Sequence, residues 1–225
     1  MQANISQLGG TTTLATQNRV LRNAYALLAL TMIPTAIGAW LGMTTRIMPQ
    51  GGLGFIIMLV GVVGGSFLVE RNKTRMRGVA FLLGLTFFMG LMLSQALLRV
   101  SALSNGGMII TLVTGMTAVT FFGMAAVGTA YKGEMSGMAR FVGIGFGVVI
   151  AAALANIFLQ IPVLSLAVSS VVALGSAFFI SYTINSVVKG GETNYISAAL
   201  RLYLDVFNLF LSLLNIVSAL MGNRD

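Results

Sequence analysis

The amino-acid sequence predicts an all-α membrane protein of seven transmembrane helices, with the rest of the chain wrapped around a polar-seamed seventh. Three observations carry that expectation. The 225 residues are 57% hydrophobic and 8% charged, with a mean hydropathy of +0.94, more apolar surface than a water-soluble domain needs. Most of the charge sits in short segments between seven long apolar runs. The last run, about Ile196 to Leu220, is long enough to cross a bilayer yet carries Arg201, Asp205, Asn208, Ser212 and Asn215. At about 100° per residue these five fall within a stripe roughly 80° wide. An ionised group at mid-membrane costs about 2.5–3.5 kcal/mol even on the lenient insertion scale, so the stripe must face protein.

Residues 1–18 are polar and contain no charged side chain, and they read as a flexible tail without the features of a signal peptide. The membrane domain is then residues 19–225. Its first span runs from about Leu21 to Met43, with Pro34 inside implying a kink that neighbouring helices must offset. The second, Leu53 to Val69, is thinned by Gly61, Gly64 and Gly65 for close packing. The charge cluster ERNKTRMR (70–77) precedes the third span, Gly78 to Leu98. A turn at 104–107 leads to the fourth, Met108 to Tyr131, and KGEMSGMAR (132–140) to the fifth, Phe141 to Gln160. Gly143, Gly147, Ala151 and Ala155 give the fifth span a smooth ridge at four-residue spacing, expected to make a close helix contact. Pro162 opens the sixth span, Val163 to about Val187, and VKGGETNY (188–195) leads into the seventh.

Charge asymmetry sets the expected orientation. Arg19, Arg22, Arg71, Lys73, Arg75, Arg77, Lys132, Arg140, Lys189 and Arg201 fall on one side, against Arg46, Arg99 and Arg224 on the other. The positive-inside rule then places the N-terminus in the cytoplasm and the C-terminus outside. The same rule accounts for the net charge of +8 without any nucleic acid. With no histidine and no cysteine, imidazole and thiolate metal sites, disulfides and His-based nucleophile pairs are excluded. Lys73, Lys132 and Lys189 fall in connecting segments, which excludes a retinal Schiff base within a helix. No cofactor motif is present, and the chain reads as a non-enzyme.

Two readings of Asp205 stand side by side. It lies nine residues beyond Ile196, about 14 Å along the helix, hence near mid-membrane. It is either a proton- or cation-sensing carboxylate or a structural ion pair with Arg201 one turn earlier, hydrogen-bonded to Thr183 or Asn185 of the sixth helix. The pair would make Asp205→Asn destabilising. Asn208, Ser212 and Asn215, like Asn156 and Gln160, read as interhelical glue ahead of a water-filled path. Glu192 reads as a solvated loop charge paired with Lys189, and the adjoining GG as a turn before a helix start rather than a phosphate loop. No internal repeat suggests a transporter.

The segments VLRNAYALLALT (20–31), ANIFLQIPVLSLAVS (155–169), KGGETNYISAALRLYLDVFNLFLSLL (189–214) and the terminal NRD resemble the Bax inhibitor family, in its bacterial YccA-like branch. The resemblance covers the chain from about residue 20 to its end. It implies six helices around a central seventh in a bacterial inner membrane. It also implies one of two functions. The first is partner, substrate and modulator of the membrane AAA protease FtsH, for which the tail would be the handle. The alternative is a pH-sensitive Ca2+ leak through a pair of aspartates on the sixth and seventh helices, with Ca2+ the transported ion rather than a cofactor. Asp205 falls at the seventh-helix position of that pair, but the sixth-helix position falls on Thr183, which offers a hydroxyl and no second carboxylate.

Overall fold

The computed structural model describes residues 2–47, 49 and 52–222, with side chains from residue 15 onward except at 52, 53 and 55. Among these residues the chain is helical throughout, in the order α1 (Gln2–Thr45), α2 (Gly52–Arg71), α3 (Met76–Ser101), α4 (Gly106–Ala130), α5 (Ser136–Leu159), α6 (Pro162–Val188) and α7 (Tyr195–Met221). Among the described residues, six of these helices are long and apolar enough to span a bilayer; the remaining one is α2. Exposed apolar side chains such as Ile33, Val119, Phe141 and Phe158 cover the outside, as expected where the solvent is lipid. The backbone of α1 is helical from Gln2, so the segment expected as a flexible tail runs into the first span. The side chains of residues 1–14 lie outside the described set.

Local chemistry explains where the helices stop. Arg46 ends α1 and Gln160 ends α5, both in the left-handed region at φ of 50° and 51°. Pro162 sits in the first turn of α6, where its missing N–H leaves nothing unpaired. Gly190, at φ 78°, turns the chain after α6. Asn194 then caps α7, its Oδ1 accepting from the N–H groups of Ile196 and Ser197 at 2.9 and 3.1 Å.

Turns from distant parts of the sequence gather at two ends. At one end Asn194 Nδ2 donates to Lys73 O and Lys189 Nζ to Lys132 O, joining the α2–α3, α4–α5 and α6–α7 turns. At the other, Asn105 Nδ2 donates to Met221 O at 3.0 Å. Helix α2 runs between the ends along α3, with Gly61 against Phe88, Gly65 against Leu85, and Glu70 accepting from Ser197 Oγ at 3.1 Å.

The core forms where α1, α2, α3, α6 and α7 meet, with Leu27, Val69, Leu82, Ile184 and Leu202 among its members. Helix α7 packs against α1, α2, α3, α4 and α6, whereas the extensive contact of α5 is with α6 alone. The small-residue ridge of α5 does not make the expected close contact. Gly143, Gly147, Ala151 and Ala155 are exposed, and a Cβ added at either glycine would meet open space. The close approach to α6 is of the reverse kind: Gly175 of α6 receives the Phe146 ring of α5. Nor do Asn156 and Gln160 join helices, since Asn156 Oδ1 accepts from Ile161 N–H at 2.9 Å and closes the end of its own helix.

Candidate functional site

The five polar residues of α7 share one stripe of the helix, and one end of that stripe meets α6. Asn215 fixes this at one end, its Nδ2 donating to Ser165 Oγ at 3.0 Å and Ser169 Oγ at 2.8 Å. At the other end the α6–α7 turn returns the chain antiparallel. On α6, Ser169, Ser176 and Thr183 recur every seven residues, within roughly 40° of one another around the helix. The register set by Asn215 places Ser176 level with residues 204–208 and Thr183 level with residues 197–201. Ser176, rather than Thr183, therefore stands at the depth of Asp205 and Asn208. The hydroxyl of Ser176 is buried and makes no hydrogen bond among the described residues.

The ion pair expected between Asp205 and Arg201 is not formed. Arg201 turns its guanidinium to Glu192, at 3.3 Å from Oε2. Glu192 is thus not a solvated loop charge: it is 11% exposed, and its Oε1 also accepts from the Asn194 N–H at 2.9 Å. Lys189, its expected partner, reaches the carbonyl of Lys132 instead. The physical reason is the turn itself. Gly191 and Glu192 N–H groups both donate to Ser186 O, which folds the loop back and points Glu192 along the first turns of α7. Two carboxylates, Glu70 and Glu192, therefore flank the N-terminal turns of α7, where the helix dipole favours negative charge.

The expected α6 partners likewise turn away. Asn185 donates to Gly128 O at 3.2 Å and Tyr131 O at 3.0 Å, tying α6 to the end of α4. Thr183 is buried and makes no hydrogen bond with Asp205. Asp205 itself is half-buried and has no hydrogen bond or ion pair among the described residues, and the same holds for Asn208 and Ser212. The middle of the seam is a carboxylate, an amide and two hydroxyls arranged along one helix–helix contact without a closed network. Such a set can take up a proton or pass a cation, but no three acidic side chains come together among the described residues.

A second polar cluster on α7 is not visible from spacing in the sequence. The Tyr203 hydroxyl lies 2.8 Å from Thr35 Oγ1 and 3.4 Å from Thr86 O. Thr35 Oγ1 is also 2.8 Å from Thr31 O and 3.2 Å from Thr86 O. Tyr203 and Thr86 are fully enclosed, and Thr35 nearly so, which locks α7 to α1 and α3 inside the membrane domain. Gly90 allows the approach, since any Cβ there would run into the backbone of Thr35. The signal available in advance was a tyrosine in mid-span, whose hydroxyl must find a partner there.

A bundle of long apolar helices with a polar seam on the last of them defines a polytopic all-helical membrane protein. Comparison with known proteins makes this specific. The family described as "Inhibitor of apoptosis-promoting Bax1" matches residues 17–224, and the chain belongs to this Bax inhibitor family. It is 36% identical over 225 residues to the Escherichia coli protein named "Modulator of FtsH protease YccA", covering 100% of both chains. It is 37% identical over 204 residues to an uncharacterized protein of Pseudomonas aeruginosa, covering 91% of this chain and 90% of that one. An uncharacterized membrane protein of Vibrio cholerae is 37% identical over 208 residues, 92% of each chain.

Proposed function

We propose that this protein is a partner and modulator of an FtsH-type membrane AAA protease in a bacterial inner membrane. One observation carries the reading: end-to-end similarity, at 36% identity, to a protein named as the modulator of that protease. The reading takes all seven helices as spans and α7 as the axis of the bundle. It takes the end that holds the α2–α3, α4–α5 and α6–α7 turns as cytoplasmic. Ten basic residues against three support that orientation. The N-terminal segment is then on the side where an ATP-driven protease works, and its lack of charged side chains suits a handle. The protein acts by binding and presentation, with no cofactor.

The test is removal of residues 2–14, which leaves the buried Val20 and Ala24 in place. In cells containing the membrane protease, the truncated chain is expected to persist longer and to co-purify less with the protease. An unchanged lifetime would remove the handle. Failure of the full chain to co-purify with the protease would remove the reading itself.

A second reading is favoured by the unpaired carboxylate: a proton-gated leak for Ca2+ or another cation past Asp205. A resident Ca2+ takes about six to eight oxygens, so a lone carboxylate fits an ion in passage better than one held. Ca2+ entry into proteoliposomes that rises or falls with pH in the wild type, and is lost in Asp205→Asn, would support it. Entry no greater than into empty liposomes would end it.

A further inference from the structure

Helices α1 and α3 run side by side in the same direction, and glycines bring their backbones together near the ends where both stop. A Cβ at Gly38 would run into Phe87 O, and one at Gly42 into the side chain of Ser94. One turn further on, this register sets Arg46 level with residues 95–98. There Arg46, Gln95, Leu98, Arg99 and Ala102 line a cavity of about 290 Å³, several times the roughly 30 Å³ of a water molecule. The four α3 residues are spaced three, four and seven apart and so share one face of their helix. Arg46 ends α1 in the left-handed region, an uncommon place for an arginine, and its N–H donates to Gly42 O at 3.0 Å. The two guanidinium groups are thus carried into one pocket by two helices locked together just below it.

We propose that this pocket binds a phosphate group, free or carried by a phospholipid, with Arg46 and Arg99 as its clamp and Gln95 as a further donor. The charged groups in its wall are both cations, and a guanidinium donates hydrogen bonds without accepting any. Its planar fork meets phosphate oxygens two at a time. Neither arginine has an ion pair among the described residues. Glu70, Glu134 and Glu192 are in or beside the turns at the opposite end, Asp205 is in the middle of α7, and Asp225 lies outside the described residues. Two like charges in one pocket repel, and an anion between them replaces that repulsion with two attractions. Membrane orientation does not account for the pair. Both stand at the end with three basic residues against ten, where they work against the asymmetry that sets orientation. The dipoles of α1 and α3 favour a cation at each C-terminus but leave the two charges together without a counter-charge.

The experiment uses the full-length protein, stripped of lipid in detergent, in two arms. One is native mass spectrometry with phosphatidylglycerol, and the other is equilibrium dialysis with radiolabelled inorganic phosphate. The wild type is expected to take one phosphate group. Arg46→Gln and Arg99→Gln are each expected to weaken its binding about tenfold, and the two together to abolish it. Both arginines are exposed, so glutamine leaves the core intact, and melting temperatures equal to wild type show that the variants are folded. Arg140→Gln, exposed at the opposite end, is the control and keeps wild-type binding. Binding of phosphatidylglycerol but not inorganic phosphate would make the ligand a lipid headgroup, whereas binding of inorganic phosphate would show that the free anion suffices. Binding of neither would overturn the site. So would binding as strong in the double variant as in the wild type.

Discussion

Tyr203 and Asp205 stand two residues apart on α7, on nearly opposite sides of the helix, and their surroundings differ in kind. The tyrosine hydroxyl is enclosed by Thr35 and Thr86, with every polar atom matched across three helices. The carboxylate makes no hydrogen bond or ion pair among the described residues, and Ser176, at about its depth on α6, has an unpaired buried hydroxyl. A polar group that only holds a membrane fold together must be satisfied, because hydrocarbon offers no water to take its place. The Tyr203 cluster meets that requirement and is structural. Asp205 does not meet it, and folding alone does not account for a carboxylate at that depth.

The largest effect should come from disturbing the satisfied side. Gly90→Val drives a side chain into the backbone of Thr35 and pushes α1 off α3. Overpacking of this sort costs about 1–3 kcal/mol, and the lost hydroxyl contacts add to it. A detergent melting curve should show a drop of several degrees or loss of the folded protein. Tyr203→Phe removes only the hydroxyl. Interhelical hydrogen bonds in membranes average about 0.6 kcal/mol and reach about 1.7, and this shared one should fall in the upper half of that range. Adding Thr35→Val should then cost less than the two changes taken separately.

Glu192→Gln should cost less than about 1 kcal/mol, because Arg201 is 44% exposed and its pair is partly screened. Its use lies in what it releases. With Glu192 gone, Arg201 is free to turn one helical step towards Asp205. In that background Asp205→Asn should become destabilising, although it is not in the wild type. A double-mutant cycle on melting temperature reads the difference.

How much of this was legible in the sequence depends on range. The seam was legible because its residues repeat on one helix, and the helix start after the KGGETNY turn because that signal is local. Seven helices were legible from seven apolar runs. The pairing of Tyr203 with Thr35 was not, since nothing in periodicity matches two residues 168 positions apart. The Arg201 partner was misassigned for a similar reason. Asp205 is one turn away in sequence, but the turn at 189–194 brings Glu192 nearer, and it faces the better-solvated end of the helix. The ridge of α5 shows the limit of small-residue spacing, which specifies a smooth surface and leaves open what lies on it.

The most direct measurement is the melting temperature of Tyr203→Phe and Asp205→Asn, side by side in the same detergent. The account predicts a clear fall for Tyr203→Phe and no fall, or a rise, for Asp205→Asn, because one change breaks a matched network and the other alters a carboxyl that makes no hydrogen bond or ion pair among the described residues. A fall in Asp205→Asn as large as that in Tyr203→Phe would contradict it, and would make the carboxylate part of the scaffold.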